Sequence, residues 1–180
     1  KEGKFNGDNT DGLGLVADLK NNHDINIKNA RVLVLGAGGA VRGILEPMLS
    51  EQPSEIVIAN RTLSKVEALV EQFPDEPLST SSFVEIDGQF DLIINGTAAS
   101  LQGDLPPIPA QVINSNTYCY DMMYGADETL FNHWCREQGA GKTIDGLGML
   151  VEQAAEQFFI WRGMRPDTTS VLKLLHEELV

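Results

Sequence analysis

Two stretches of this chain bring together the residue types that hold a phosphorylated dinucleotide. The first, Arg31-Val-Leu-Val-Leu-Gly36-Ala37-Gly38-Gly39-Ala40-Val41-Arg42, reads as an apolar strand, a glycine turn and the start of a helix. Glycines let backbone approach a pyrophosphate, and a helix N-terminus adds free N–H donors and a positive dipole. Val41 stands where the usual GxGxxG pattern has its third glycine, so the turn is a variant. The second stretch, Asn60-Arg61-Thr62, falls where the next strand should end. Folds that bind NAD usually put an acid there for the ribose 2′-hydroxyl. A carboxylate would repel a 2′-phosphate, whereas Arg61 can grip it with two parallel hydrogen bonds. Lys65 follows four residues later, on the same helical face. The pair of stretches predicts an NADP site. The plainer readings are a tight strand-to-helix turn and two solvated surface cations.

Other polar residues have ordinary roles when taken alone. Asn9-Thr10-Asp11-Gly12 precedes a helical pattern, where Thr10 or Asp11 would serve as a cap. Gln153 reads as a helix glutamine and Tyr124 as a loop aromatic. Cys119 lies in an apolar strand and Cys135 in a helical pattern, which predicts two reduced, partly buried thiols. His23, His133 and His176 show no metal-ligand spacing, so no metal site is expected.

Positioning such a site needs strands whose ends meet at one edge. Val32–Leu35, Ile56–Ala59, Leu92–Asn95, Tyr118–Asp121 and Lys142–Ile144 are short apolar runs bounded by turn residues, with Leu78-Ser79 a sixth. Helical patterns at Val41–Leu49, Leu63–Gln72 and Thr129–Gln138 alternate with them. Pro47 predicts a kink or early stop in the first. The alternation implies an α/β fold, a doubly wound, Rossmann-like parallel sheet covered by helices on both faces. Ligands then bind beyond the carboxyl ends of the strands, where strand order reverses. The Pro- and Gly-rich loop from Gly96 to Pro109 lies where a cofactor would pass. Asp11–Asn21, Met149–Trp161, read as strongly amphipathic, and Asp167–Leu179, capped by Asp167 or Thr168, are expected as flanking helices. They would pack on a further domain.

At 180 residues, 42% apolar and 22% charged, the chain suits one globular domain. A net charge of −13 argues against nucleic acid and anionic membranes as partners, and requires any anion site to be local. No stretch is long and apolar enough to span a bilayer. No targeting signal is seen, and the expected location is the cytoplasm. The chain begins at Lys1 without methionine, which is read as a missing upstream part.

Taken in order, Gly7-Asp8-Asn9-Thr10-Asp11-Gly12, the Gly36–Arg42 turn, Asn60-Arg61-Thr62, Asp91-Leu-Ile-Ile-Asn95-Gly-Thr97, Tyr118-Cys-Tyr-Asp121-Met-Met-Tyr124 and Asp145-Gly-Leu-Gly-Met-Leu-Val-Glu-Gln153 resemble the cofactor-binding half of shikimate dehydrogenases. The resemblance covers essentially the whole chain. It implies NADPH-dependent, reversible reduction of 3-dehydroshikimate to shikimate, on the route to aromatic amino acids. It matches Asp11 to an aspartate that pairs with a catalytic lysine, and Tyr124 and Gln153 to substrate contacts. Gly36, Ala37, Gly38, Gly39 and Ala40 match the pyrophosphate site. Asn60, Arg61, Thr62 and Lys65 match the 2′-phosphate site, and Met122 and Gly146 lie near the nicotinamide. Thr97 belongs to the cofactor loop, where Gly96-Thr97-Ala98-Ala99 departs from the family's frequent Ala-Thr-Ser. Which of the lysine and aspartate is the acid–base stays open. Lys1 and Lys4 do not sit in the family's lysine motif, so residues 1–180 are expected to be an NADP-binding fragment, nearly inactive without an N-terminal substrate domain. Residues 12–22 and 148–180 would link to that domain. A quinate/shikimate dehydrogenase of broader specificity and a non-catalytic NADP-binding module are the alternatives, and monomer and homodimer are both open.

Overall fold

The computed structural model describes residues 3, 7–99 and 103–179. Part of the Gly96–Pro109 loop, and Lys1 and Lys4, lie outside the described residues. The chain opens with helix α1 (Asp11–Ala17), which runs on into a π-helical turn (Asp18–Asn22). Then follow β1 (Arg31–Leu35), α2 (Gly39–Ser50), β2 (Glu55–Ala59), α3 (Leu63–Val70), β3 (Leu78–Ser81) and β4 (Leu92–Asn95). A short 3₁₀ turn (Ala110–Val112), β5 (Tyr118–Asp121), α4 (Leu130–Glu137), β6 (Lys142–Ile144), α5 (Leu147–Arg162) and α6 (Thr169–Leu179) complete it.

All six strands are parallel, in the order β3-β2-β1-β4-β5-β6. The central strands β2, β1, β4 and β5 are largely buried apolar runs, while the edge strands β3 and β6 are only partly buried. Alternation divides the core. Val32, Val34, Leu92, Ile94 and Tyr120 face one way, onto α1, α2, α3 and α5. Leu33, Leu35, Ile93 and Cys119 face the other. Helices were expected on both faces, yet among the described residues the second carries one long element, α4. Irregular chain covers the rest, through Phe83, Ile86, Phe90, Ile108 and Ile113.

Several boundaries differ from expectation. Pro47 does not stop α2, which runs to Ser50; Pro47 is half-buried within it. Thr10 is the N-cap residue of α1 but makes no side-chain capping bond; Asn9 Oδ1 accepts the Asp11 N–H at 2.7 Å. Thr10 instead accepts from Gln157 of α5 at 3.2 Å. At α6, Asp167 Oδ1 accepts the Thr169 N–H at 3.1 Å. Two of the flanking helices, α1 and α5, also pack on the sheet. Leu15, Val16, Leu19 and Met149 enter the core of the sheet. Nor is α5 the strongly amphipathic helix expected. Its first half is buried, while Phe158, Phe159, Ile160 and Trp161 expose 40–74% of their surface around the second.

Candidate dinucleotide and substrate site

The strand order reverses between β1 and β4, and the loops at the carboxyl ends of the strands meet there. Gly36 leaves β1 at φ +109°, a conformation that side-chain-bearing residues rarely adopt. Its N–H donates to Ala59 O of β2 at 2.7 Å, and a Cβ would lie 3.2 Å from Gly96 O. The fold therefore requires this glycine. Gly38 and Gly39 are different. Both are exposed, neither has positive φ, and a Cβ on either would meet no atom within 4 Å. Nothing in the protein demands glycine there. Gly38 is the N-cap of α2 and offers no side-chain cap, so the first-turn N–H groups stand free beside half-buried Ala37 and Ala40.

Asn60 follows β2 and donates its side-chain amide to Thr62 O at 3.1 Å, shaping the turn into α3. Arg61, Thr62 and Lys65 follow, all exposed. Among the described residues no salt bridge engages Arg61 or Lys65. The two cations stand out on a chain of net charge −13. Asn60 and Arg61 line a cavity of about 350 Å³ with Phe83, Thr97, Ala98 and Pro106.

At the ends of β4 and β5 a buried network sets the next part of the edge. Asn95 Nδ2 donates to Asp121 Oδ1 at 3.0 Å, and Asn95 Oδ1 accepts from the Thr97 hydroxyl at 2.7 Å. Asp121 also accepts the Met123 N–H at 3.1 Å. The Met122 N–H donates to Asn95 O, and the Gly146 N–H to Met123 O, each at 3.0 Å. Thr97, Met122 and Gly146 are thereby held side by side along β4, β5 and β6. Sequence reasoning missed Asn95 and Asp121 as members. Their signal was a polar residue ending each of two apolar strands.

Helix α1, which begins at Asp11, crosses α5 beside Gln153. The crossing is close because Gly14 has no side chain; a Cβ there would lie 2.6 Å from Gln153 N. Asp11 is three residues before Gly14, on the same face, and both Asp11 and Gln153 are half-buried. Tyr124 is 45% exposed, on the loop after β5, and no hydrogen bond joins it to either residue.

A second polar cluster lies beneath this crossing. Asp18, fully buried, accepts from the Tyr120 hydroxyl at 2.7 Å and from Asn22 Nδ2 at 2.8 Å. His23 Nε2 is 3.6 Å away. Burial alone would raise the Asp18 carboxyl, but the hydrogen bonds from His23, Asn22 and Tyr120 outweigh it and hold it below its usual value. Burial, then the Asp18 charge, keeps the Tyr120 phenol well above its usual range. Cys119 and Cys135 are wholly buried, and their mutual hydrogen bond with burial pushes the Cys135 thiol upward. Among the described residues no helix is long and apolar enough to cross a membrane.

Comparison with known proteins gives this edge its family. Residues 18–102 match the family described as shikimate / quinate 5-dehydrogenase, and residues 146–176 the shikimate 5′-dehydrogenase C-terminal domain. Shikimate dehydrogenase (NADP(+)) of Marinobacter nauticus is 54% identical over 99% of this chain and 66% of its own length. That of Cellvibrio japonicus is 53% identical, over 99% and 65%. Among solved structures, an Ael1 enzyme from Pseudomonas putida superposes with a TM-score of 0.92 at 46% identity, over 97% of this chain and 65% of that one. A shikimate dehydrogenase in complex with NADP+ gives 0.84 at 30% identity, over 100% and 65%. The chain spans about two thirds of the length of the curated relatives it matches. On its sequence, its strand order and these likenesses, the chain belongs to the shikimate dehydrogenase family.

Proposed function

We propose that this chain is the NADP-binding domain of a shikimate dehydrogenase, reducing 3-dehydroshikimate to shikimate reversibly together with a substrate-binding domain that supplies a lysine. A cytoplasmic place belongs to the same reading. The observation that carries it is the pairing of open glycines Gly38 and Gly39 with the unpaired cations Arg61 and Lys65 along one sheet edge. A tight turn would need only Gly36. The additional open space suits a pyrophosphate on the free N–H groups of α2. From Asn60 beyond β2 to Gly146 beyond β6 the edge crosses four strand spacings, about 19 Å, which suits an extended dinucleotide.

In this reading Gly36, Ala37, Gly38, Gly39 and Ala40 hold the pyrophosphate, and Asn60, Arg61, Thr62 and Lys65 hold the 2′-phosphate. Thr97, Met122 and Gly146 border the nicotinamide, which supplies or accepts the hydride when bound. Moving a hydride at a carbon that bears a hydroxyl also requires moving that hydroxyl's proton. Asp11, beside the domain's lysine, orients the ammonium or takes part in that transfer, while Gln153 and Tyr124 fix the substrate.

In the two-domain enzyme, Asp11→Asn is expected to lower kcat by about a hundredfold or more while leaving NADP+ affinity within about twofold. Steady-state kinetics with shikimate, paired with calorimetry, checks both. Undiminished turnover would remove Asp11 from catalysis.

A further inference from the structure

The polar cluster under the α1–α5 crossing is not used by the assigned chemistry, yet it ties the turn after α1 to β5 and α5, three elements that carry part of that chemistry. Asp18 begins the π-helical turn that ends α1. Such turns are rare and cluster at functional sites. This one sends the carboxylate inward to Tyr120 of β5 and against Gly148 of α5, where a Cβ would lie 1.9 Å from Asp18 Oδ1. Asn22, on the same turn, bridges Asp18 to Glu152 at 3.2 Å, and Glu152 accepts from Thr168 at 2.7 Å. A buried carboxylate is costly unless it is fully bonded, and apolar residues of similar size would hold a core as well. What the hydrogen bonds add is direction. Apolar helices can slide along a sheet, whereas the Tyr120–Asp18–Asn22–Glu152 chain fits one register only.

That register joins the two halves of the site. Asp11 sits at the start of the helix that ends in Asp18. Gln153 follows Glu152 directly. Tyr120 is two residues before Met122, and Gly148 two after Gly146. We propose that Asp18 is a positioning residue for hydride transfer, setting the distance between the substrate side of the cleft (Asp11, Gln153) and the nicotinamide side (Met122, Gly146) through Tyr120 and Asn22. The inference rests on the function proposed above. A displacement of about an ångström at the reacting atoms is enough to slow a positioned reaction about a hundredfold.

The test is Asp18→Asn in the two-domain enzyme. It keeps the shape but replaces one acceptor by a donor where only donors arrive. With shikimate deuterated at the oxidised carbon, kcat is expected to fall about tenfold and the primary isotope effect to rise, while KM for NADP+ stays within about twofold. Tyr120→Phe, which deletes one oxygen, covers the case in which Asp18→Asn does not fold. It should show the same pattern with a loss of about threefold. A merely structural role would lower the unfolding temperature and leave the isotope effect alone. Unchanged kcat and isotope effect in the folded variants would overturn the proposal by itself. Absence of shikimate-dependent NADP+ reduction by the wild-type enzyme would instead remove the reaction, and this proposal with it.

Discussion

Gly36, Gly38 and Gly39 lie within four residues of one another and answer to different demands. Gly36 is fixed by a positive φ and by Gly96 against it; Gly38 and Gly39 answer to nothing inside the protein. That contrast separates a phosphate cradle from a tight turn. Gly38→Ala has room for its methyl at φ −83°, so its unfolding free energy should stay within about 0.5 kcal/mol of wild type. Its NADP+ affinity should fall about tenfold or more, since the methyl occupies space meant for ligand. Gly36→Ala should lose about 1–3 kcal/mol of stability. Urea unfolding and calorimetry read both. A Gly38→Ala variant that bound NADP+ at full strength would return the turn to a simple connection. From sequence the glycine pattern was legible, but not which glycine serves the fold and which the ligand. That distinction depends on φ and on neighbours such as Gly96, far away in the chain.

Elements of this fold are held by two kinds of force, and the sequence displays only one of them openly. Strands buried on both faces announce themselves as apolar runs, which is why Val32–Leu35 and Leu92–Asn95 were legible. The Tyr120–Asp18 bond joins residues 102 apart, and Asn95–Asp121 joins residues 26 apart. Neither follows from local pattern, because a buried polar residue is recognisable only once its partner is in place. Pro47 does not end α2 for a related reason: tertiary packing overrode a local helix-stopping preference. The Tyr120–Asp18 tie between β5 and the turn after α1 has its own signature in pH. Tyr120 is held neutral well above 10.0, while the unfolded phenol ionises near there. Its contribution is therefore complete below about pH 10 and is lost as pH rises further. Tyr120→Phe should destabilise the chain at pH 8, and that difference should shrink as the pH is raised to 11. A difference that stays constant between the two pH values would mean the phenol is not protected.

For the molecule as a whole, the sheet delivers its strand-end loops to one edge, and that edge carries the unpaired cations Arg61 and Lys65 in a strongly acidic chain. Gln153 stands at the crossing of α1 and α5, and Asp11 begins α1. In the proposed function the chemistry is divided: the dinucleotide is assigned to the strand ends and α3, and the proton's path to helices packed on the sheet. The central claim is that this edge selects NADP, and that Arg61 is the reason. It is tested most directly by titrating the chain and its Arg61→Ala variant with NADP+ and NAD+ in a calorimeter. The account predicts clear preference for NADP+ in the wild type, and in the variant a loss of about 1.5–3 kcal/mol for NADP+ with NAD+ nearly unaffected. Equal losses for the two cofactors, or a wild-type preference for NAD+, would contradict it.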